Sequence, residues 1–162
     1  MDSASYKLRP YSKLAQQVGY SACTRDLRDF DRFATVYALD RLPEPSPYFY
    51  TVQKRAAETL GCQLHYRQID VRDVPKLNEV IGEIADKHAR LDGLLAAAGI
   101  QQEVPALDYT AEDARAMVDV NIVGTMMTAQ AAARQMIKYG NPGSIALIAS
   151  MSGSVANRNL LC

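Results

Sequence analysis

Ser150 opens the stretch Ser150-Met151-Ser152-Gly153-Ser154, directly after the apolar run Ser144-Ile145-Ala146-Leu147-Ile148-Ala149. A hydroxyl in that place works as a nucleophile or proton donor only beside a positioned partner. Asp40 closes a second such run, Thr35-Val36-Tyr37-Ala38-Leu39-Asp40, and Asp70-Val71 closes a third, Leu64-His65-Tyr66-Arg67-Gln68-Ile69-Asp70-Val71. All three sites fall at the carboxyl ends of strand-like segments, the edge on which open α/β sheets bind ligands. Asn121 differs in lying inside a long helical pattern. Each residue also has a plain structural reading: Asp40 caps a turn ahead of the prolines, Asn121 is a polar helix residue, and Ser150 is one of several loop serines.

Metal and disulfide chemistry are not suggested. Cys23, Cys62 and Cys162 are an odd, scattered set without a C-x-x-C pair, and His65 and His88 stand at no metal-ligand spacing from a cysteine or from each other. His88 continues the apolar stripe Leu77, Val80, Ile81, Ile84, Ala85 and reads as a half-buried helix residue rather than a catalyst. Met117, Met126, Met127 and Met136 read as helix core or interface.

The elements that position these residues alternate short apolar runs with longer helical patterns from residue 36 onward, the signature of βαβ units around a parallel sheet. After Asp40, Ser46 is placed to cap a helix with Pro47 at its first position, and Gly61 is placed to end it after Leu60. Asp73 is placed to cap the helix that carries the stripe above. Leu91 to Ile100 gives a strand that enters the small-residue turn Ala96-Ala97-Ala98-Gly99. Thr110-Ala111-Glu112-Asp113 resembles a capping box and starts a long helix to about Lys138, which Tyr139-Gly140-Asn141-Pro142-Gly143 stops. Ahead of this, Ser12 is placed to cap a helix with Leu14, Ala15, Val18 and Ala22 inward, and the charged run from Thr24 to Phe33 reads as helix or irregular.

Composition excludes further classes. With 18 Lys+Arg against 18 Asp+Glu and a pI near 6.7, the chain has no basic footprint for nucleic acid. No apolar run approaches the roughly 18–20 residues that span a bilayer, and the first seven residues lack a signal peptide's apolar core. A cytoplasmic protein without nucleic-acid or membrane partners is expected.

From about Val36 to its end, the chain resembles the short-chain dehydrogenase/reductase family. The resemblance rests on Asp40 ending the second strand, Asp70-Val71 after the third, Ala96-Ala97-Ala98-Gly99 in place of the family's Asn-Asn-Ala-Gly turn, Asn121-Ile122-Val123-Gly124 as its N-x-x-G, and Gly143 to Gly153 as its fifth strand and serine. It implies an NAD or NADP cofactor and a small carbonyl or alcohol substrate. Asp40 would accept from the adenosine ribose hydroxyls, Asp70 and Val71 would lie against the adenine, and Ala98 and Gly99 would let backbone approach the cofactor. Asn121 would support a proton-relay water and Ser150 would bond the substrate oxygen. The fold implied is α/β, an incomplete Rossmann-like doubly wound parallel sheet with helices on both faces. The run Asp40-Arg41-Leu42-Pro43-Glu44-Pro45, with the alanine-rich turn, is similar to fungal reductases of polyol and sorbose type.

Two parts of the family pattern have no counterpart. Before Val36 the chain has one glycine, Gly19, and no glycine-rich turn for the pyrophosphate. Residues 1–34 therefore read as an atypical segment in place of the first strand, and residues 35–162 as a partial Rossmann-like domain. The family's Tyr-x-x-x-Lys element would follow at about Cys162. In the order 3-2-1-4-5-6 the first strand separates the second from the fourth, so either residues 1–34 fill that gap or two edges stand open and the chain aggregates readily. Three readings follow: a shortened oxidoreductase, a non-catalytic protein that binds an intact homologue, or a gene product with misplaced ends. In the second, the long helix would mediate homo- or hetero-oligomers, with Ala129, Ala131, Ala132, Ala133 and Met136 allowing close packing.

Overall fold

The computed structural model describes residues 22–24 and 34–154. In chain order these form β1 (Ala22–Thr24), β2 (Thr35–Asp40), α1 (Pro47–Leu60), β3 (Gln63–Gln68), α2 (Val74–His88), β4 (Gly93–Ala96), α3 (Ala111–Val118), a π-helical turn (Asp119–Gly124), α4 (Thr125–Tyr139) and β5 (Ser144–Leu147). The strands form one sheet in the order β1-β2-β3 and a second pair β4-β5; β2–β3 and β4–β5 run parallel. This is part of a Rossmann-like doubly wound sheet, split where the sequence predicts the split.

Residues 22–24 lie in that break. β1 pairs antiparallel with β2, Ala22 opposite Tyr37 and Thr24 opposite Thr35, and also lies against β4. A helix running through Ala22 is therefore wrong, because this short stretch satisfies the ladder groups on the free edge of β2. The rest of the expected Ser12 helix, Gly19 and the charged run after Thr24 lie outside the described residues.

Helix boundaries follow their punctuation. Gly61 and Gly140 take left-handed φ of 63° and 62° and end α1 and α4. Asp73 accepts from Lys76 N–H at 3.1 Å at the start of α2, and Thr110 with Asp113 closes a full capping box on α3. Ser46 does occupy the N-cap position of α1 with extended backbone, but its hydroxyl makes no capping bond. Its carbonyl accepts from Phe49 N–H at 2.9 Å instead, and Pro47 at the first helical position leaves one fewer unpaired N–H in the first turn.

α2 carries the core. Leu77, Val80, Ile81, Ile84 and Ala85 are all buried, each large apolar side chain contributing about 1.5–3 kcal/mol over an exposed one, whereas α1 buries no residue. One apolar cluster joins Tyr37 and Leu39 of β2, Leu94 and Ala96 of β4, the α2 stripe, and Ala131, Ala132 and Met136 of α4. The two strand pairs are thus joined through side chains where, among the described residues, no ladder connects them. Ala131, Ala132 and Met136 are accordingly not an outer surface, because α4 spends that face on α2 and the β4–β5 pair. The exposed large apolar residues of the long helix are Val118, Ile122, Val123, Met126 and Ile137. Among the described residues no helix is long and apolar enough to cross a membrane, and no group of three metal-ligating side chains occurs.

Candidate functional site

β2 and β3 are in register from Thr35 opposite Gln63 to Asp40 opposite Gln68, so they end together. Ile69 N–H donates to the Asp40 carbonyl at 2.7 Å, which extends the pairing by one step and carries Asp70 to the edge beside Asp40. The Asp40 carboxylate accepts from Leu42 N–H at 3.0 Å. That turn-capping contact occupies one of about four acceptor positions on a carboxylate. Tyr66 Oη donates to the Leu42 carbonyl at 2.7 Å, and Gln68 Nε2 to the Arg41 carbonyl at 3.1 Å, fixing the loop after β2. Burial, and then the charge of Asp40, push the Tyr66 phenol up to about 12. A groove of about 590 Å³ opens here, lined by Arg41, Leu42, Pro43, Gln68, Ile69 and Asp70 among others.

Asp70 is clasped by Arg72, whose Nε donates to both carboxylate oxygens at 3.0 and 3.1 Å and whose backbone N–H adds a bond of 3.0 Å. The Arg72 guanidinium, followed by its backbone N–H, holds the Asp70 carboxyl below the usual carboxylate range against the opposing effect of burial; the charges of Arg72 and Arg41 act in the same direction. Sequence reasoning missed Arg72. The signal was an arginine two residues after an aspartate, close enough to fork onto it.

The second group stands at the end of the other strand pair. β4 and β5 are paired from Gly93–Ser144 to Ala96–Leu147, and Ile148 N–H donates to the Ala96 carbonyl at 2.9 Å. Ala98 packs against the core and Gly99 follows it. Ser150 leaves the same edge exposed, its carbonyl accepting from Gly153 N–H at 3.1 Å in a tight turn.

The long helix ties the two groups together. Asn121 sits in the π turn and makes two bonds to the backbone of Ile100: Oδ1 accepts from its N–H at 2.8 Å and Nδ2 donates to its carbonyl at 2.9 Å. Asn121 Oδ1 stands 3.5 Å from where a Gly99 Cβ would be, so the helix braces the Gly99 turn directly. Three residues on, Gly124 meets Val71, whose side chain is 6 % exposed and belongs to the core. Asp119, at the start of the π turn, adds to the effect of Asp70 in raising the Arg72 guanidinium. Asp70-Val71, the π turn and the Ala98-Gly99 turn are therefore neighbours, while Asp40 belongs to the β2–β3 pair and Ser150 to the β4–β5 pair.

These residues fit the adenosine end of a dinucleotide: an acceptor carboxylate ends β2, a neutralised Asp70 stands beside it, and a turn of small residues is braced from behind. The described residues contain no glycine-rich turn that would cradle a pyrophosphate.

Known proteins resemble this chain in sequence and fold. A family model described as short chain dehydrogenase matches residues 31–161. A short-chain dehydrogenase/reductase of Aspergillus versicolor, notP', is 30% identical over 143 residues, which are 88% of this chain and 49% of that protein. An NADH-dependent L-xylulose reductase of Ambrosiozyma monospora is 37% identical over 90 residues, 54% of this chain and 33% of the reductase. The crystal structure of a short chain dehydrogenase from Mycobacterium paratuberculosis bound to NAD superposes with a TM-score of 0.66 at 28% identity, covering 78% of this chain and 50% of that one. The chain spans half or less of the length of each of these proteins. With the family model spanning all the elements from β2 to β5 and the fold superposing on a solved member, the chain belongs to the short-chain dehydrogenase family.

Proposed function

We propose that these residues serve an NAD-dependent oxidoreductase acting on a small carbonyl or secondary alcohol. The observation that carries this reading is the placement of Asp40 and Asp70 at the same carboxyl edge of β2–β3, Asp40 opposite Gln68 and Asp70 two residues beyond it. Asp40 accepts from the ribose hydroxyls of the adenosine, and its negative charge opposes a 2′-phosphate, which favours NAD over NADP despite the neighbouring Arg41. Asp70, held by Arg72, and Val71 shape the adenine side, and Ala98 and Gly99 present backbone to the cofactor. The bound cofactor supplies or receives the hydride. Ser150 hydrogen-bonds the substrate oxygen from its exposed turn. Asn121, with both ends of its amide engaged on Ile100, acts by holding the Gly99 turn in place. A polyhydroxylated ketone or alcohol is the substrate class supported by the likeness to L-xylulose reductase.

Titration with NADH and NADPH, followed by nucleotide fluorescence, tests the reading. Saturable binding, tighter for NADH and weakened in Asp40→Ala, is expected; a cooperatively folded chain that binds neither nucleotide overturns it.

A second reading is favoured by a separate observation. Val118, Ile122 and Met126, exposed by 44, 61 and 58%, lie in and on either side of the π turn of the long helix. We propose that these residues associate with another copy or an intact homologue. Sedimentation of the chain alone and mixed with a full-length relative tests it, with a monomer in both cases as the contrary result.

A further inference from the structure

Two imidazoles converge on one phenol. Tyr37 is 5 % exposed and stands opposite His65 in the β2–β3 register; their rings stack with centroids 4.9 Å apart. From the last turn of α2, His88 meets the same ring edge-on at 5.8 Å, with Nε2 2.9 Å from the Tyr37 hydroxyl. Lys87 Nζ lies 6.0 Å from the centroid of that ring. The next residue, Ala89, ends α2 at φ 51°, ψ 29°, the one non-glycine residue with positive φ among the described residues. A side-chain-bearing residue holds that conformation only where its surroundings enforce it.

Among the described residues, every neighbouring element contributes either neutral or positive groups. β2 gives Tyr37; β3 gives His65, whose Nε2 is 3.3 Å from Gln63 Oε1; α2 gives Lys87 and His88; β1 places Ala22 opposite Tyr37. The nearest acid on α2, Asp86, is turned toward α4, where it accepts from Lys138 and from Tyr139, both at 2.6 Å. Among the described residues, a proton added to either imidazole thus meets Lys87 with no carboxylate to offset it, and a second proton also meets the first. Burial and then Lys87 hold both histidines below the ordinary value, with His65 adding to the effect on His88.

We propose that Tyr37, His65 and His88 form a pH-sensitive latch that fastens the end of α2 to β2 and β3 and releases it on mild acidification, with Ala89 as the hinge. An imidazole freed from the latch binds a proton more readily than a latched one. The latch therefore contributes fully above the ordinary histidine value of 6.5 and weakens as pH falls below it. Release would also relax the left-handed Ala89, so the acid-open form gains from both changes.

Amide hydrogen exchange on the whole chain at pH 7.5 and 5.5, corrected for intrinsic rates, tests the proposal. The expected result is a loss of protection at the lower pH confined to residues 84–90, while residues 128–136 of α4 keep theirs. His88→Gln, whose amide does not titrate, is expected to show the same protection at both values. Equal protection of the wild type at both pH values, a loss spread evenly over α2 and α4, or an unchanged pH response in His88→Gln overturns it. Should that variant not fold, imidazole titration in the wild type decides: both rings titrating below the ordinary histidine value supports the latch, and ordinary values refute it.

Discussion

Asn121 and Ile100, 21 residues apart in sequence, exchange two hydrogen bonds between one side-chain amide and the N–H and C=O of one residue. Both backbone groups of Ile100 depend on that amide, and the turn that contains Gly99 depends on Ile100. Removing the amide strands a donor and an acceptor that are partly buried, at about 1–3 kcal/mol. Asn121→Ala is expected to lower stability by that amount in urea unfolding. Asn121→Asp, which keeps the acceptor and loses the donor, is expected to fall between Asn121→Ala and the wild type.

Gly124 and Gly143 make a paired test of packing. A Cβ on Gly124 would stand 2.5 Å from Val71 Cγ2 and 3.0 Å from Val71 Cβ, both on a stiff, buried side chain. A Cβ on Gly143 would stand 2.5 Å from Met136 Sδ, part of a chain with three rotatable bonds. Gly124→Ala is expected to cost about 1–3 kcal/mol, and Gly143→Ala less, because methionine can swing aside. Thermal melts of the two variants check the order, and Val71→Ala added to Gly124→Ala is expected to recover part of the loss.

Acid sensitivity follows from Asp70. Its folded-state carboxyl is held below the ordinary value of 3.8 by Arg72, so its contribution is full above that value and is lost as pH falls through the folded one. Melting temperatures of the wild type and Arg72→Gln measured from pH 5 down to pH 2.5 are expected to converge at the acid end. Curves that stay parallel would contradict the pairing.

Asn141 holds Leu91 as Asn121 holds Ile100, accepting from its N–H at 3.3 Å and donating to its carbonyl at 2.6 Å. Leu91 is 1 % exposed and leads into β4. Asn141→Ala is expected to destabilise by about 1–3 kcal/mol and to speed amide exchange in β4 and β5 ahead of β2 and β3, because the strand pairs share no ladder.

The parts of this fold that show in the sequence are those set by local chemistry. The α2 stripe, the Asp73 cap, the Thr110 box and the glycine stops at 61 and 140 each follow from spacing or from a single backbone requirement. So do the strand ends that place Asp40, Asp70 and Ser150 at one kind of edge. What stayed hidden depends on partners distant in sequence. β1 forms because β2 offers an open ladder, and nothing within Ala22-Cys23-Thr24 announces it. Asn121 stands out by the resemblance, but its hold on Ile100 depends on a partner 21 residues away. His88 was legible as half-buried, but its meeting with Tyr37 and His65 comes from the register between strands.

A π turn is an α-helix with one residue too many, and at Asp119–Gly124 the surplus sets the phase of everything after it. Each helical residue turns the chain by about 100°. Dropping one residue here would leave a regular helix on the same axis but swing Thr128, Ala131, Ala132 and Met136 by about 100° relative to Met117, off the core they fill. Along this stretch the count of residues is therefore constrained more tightly than most of their identities, and relatives that preserve the packing are expected to align through it without a gap.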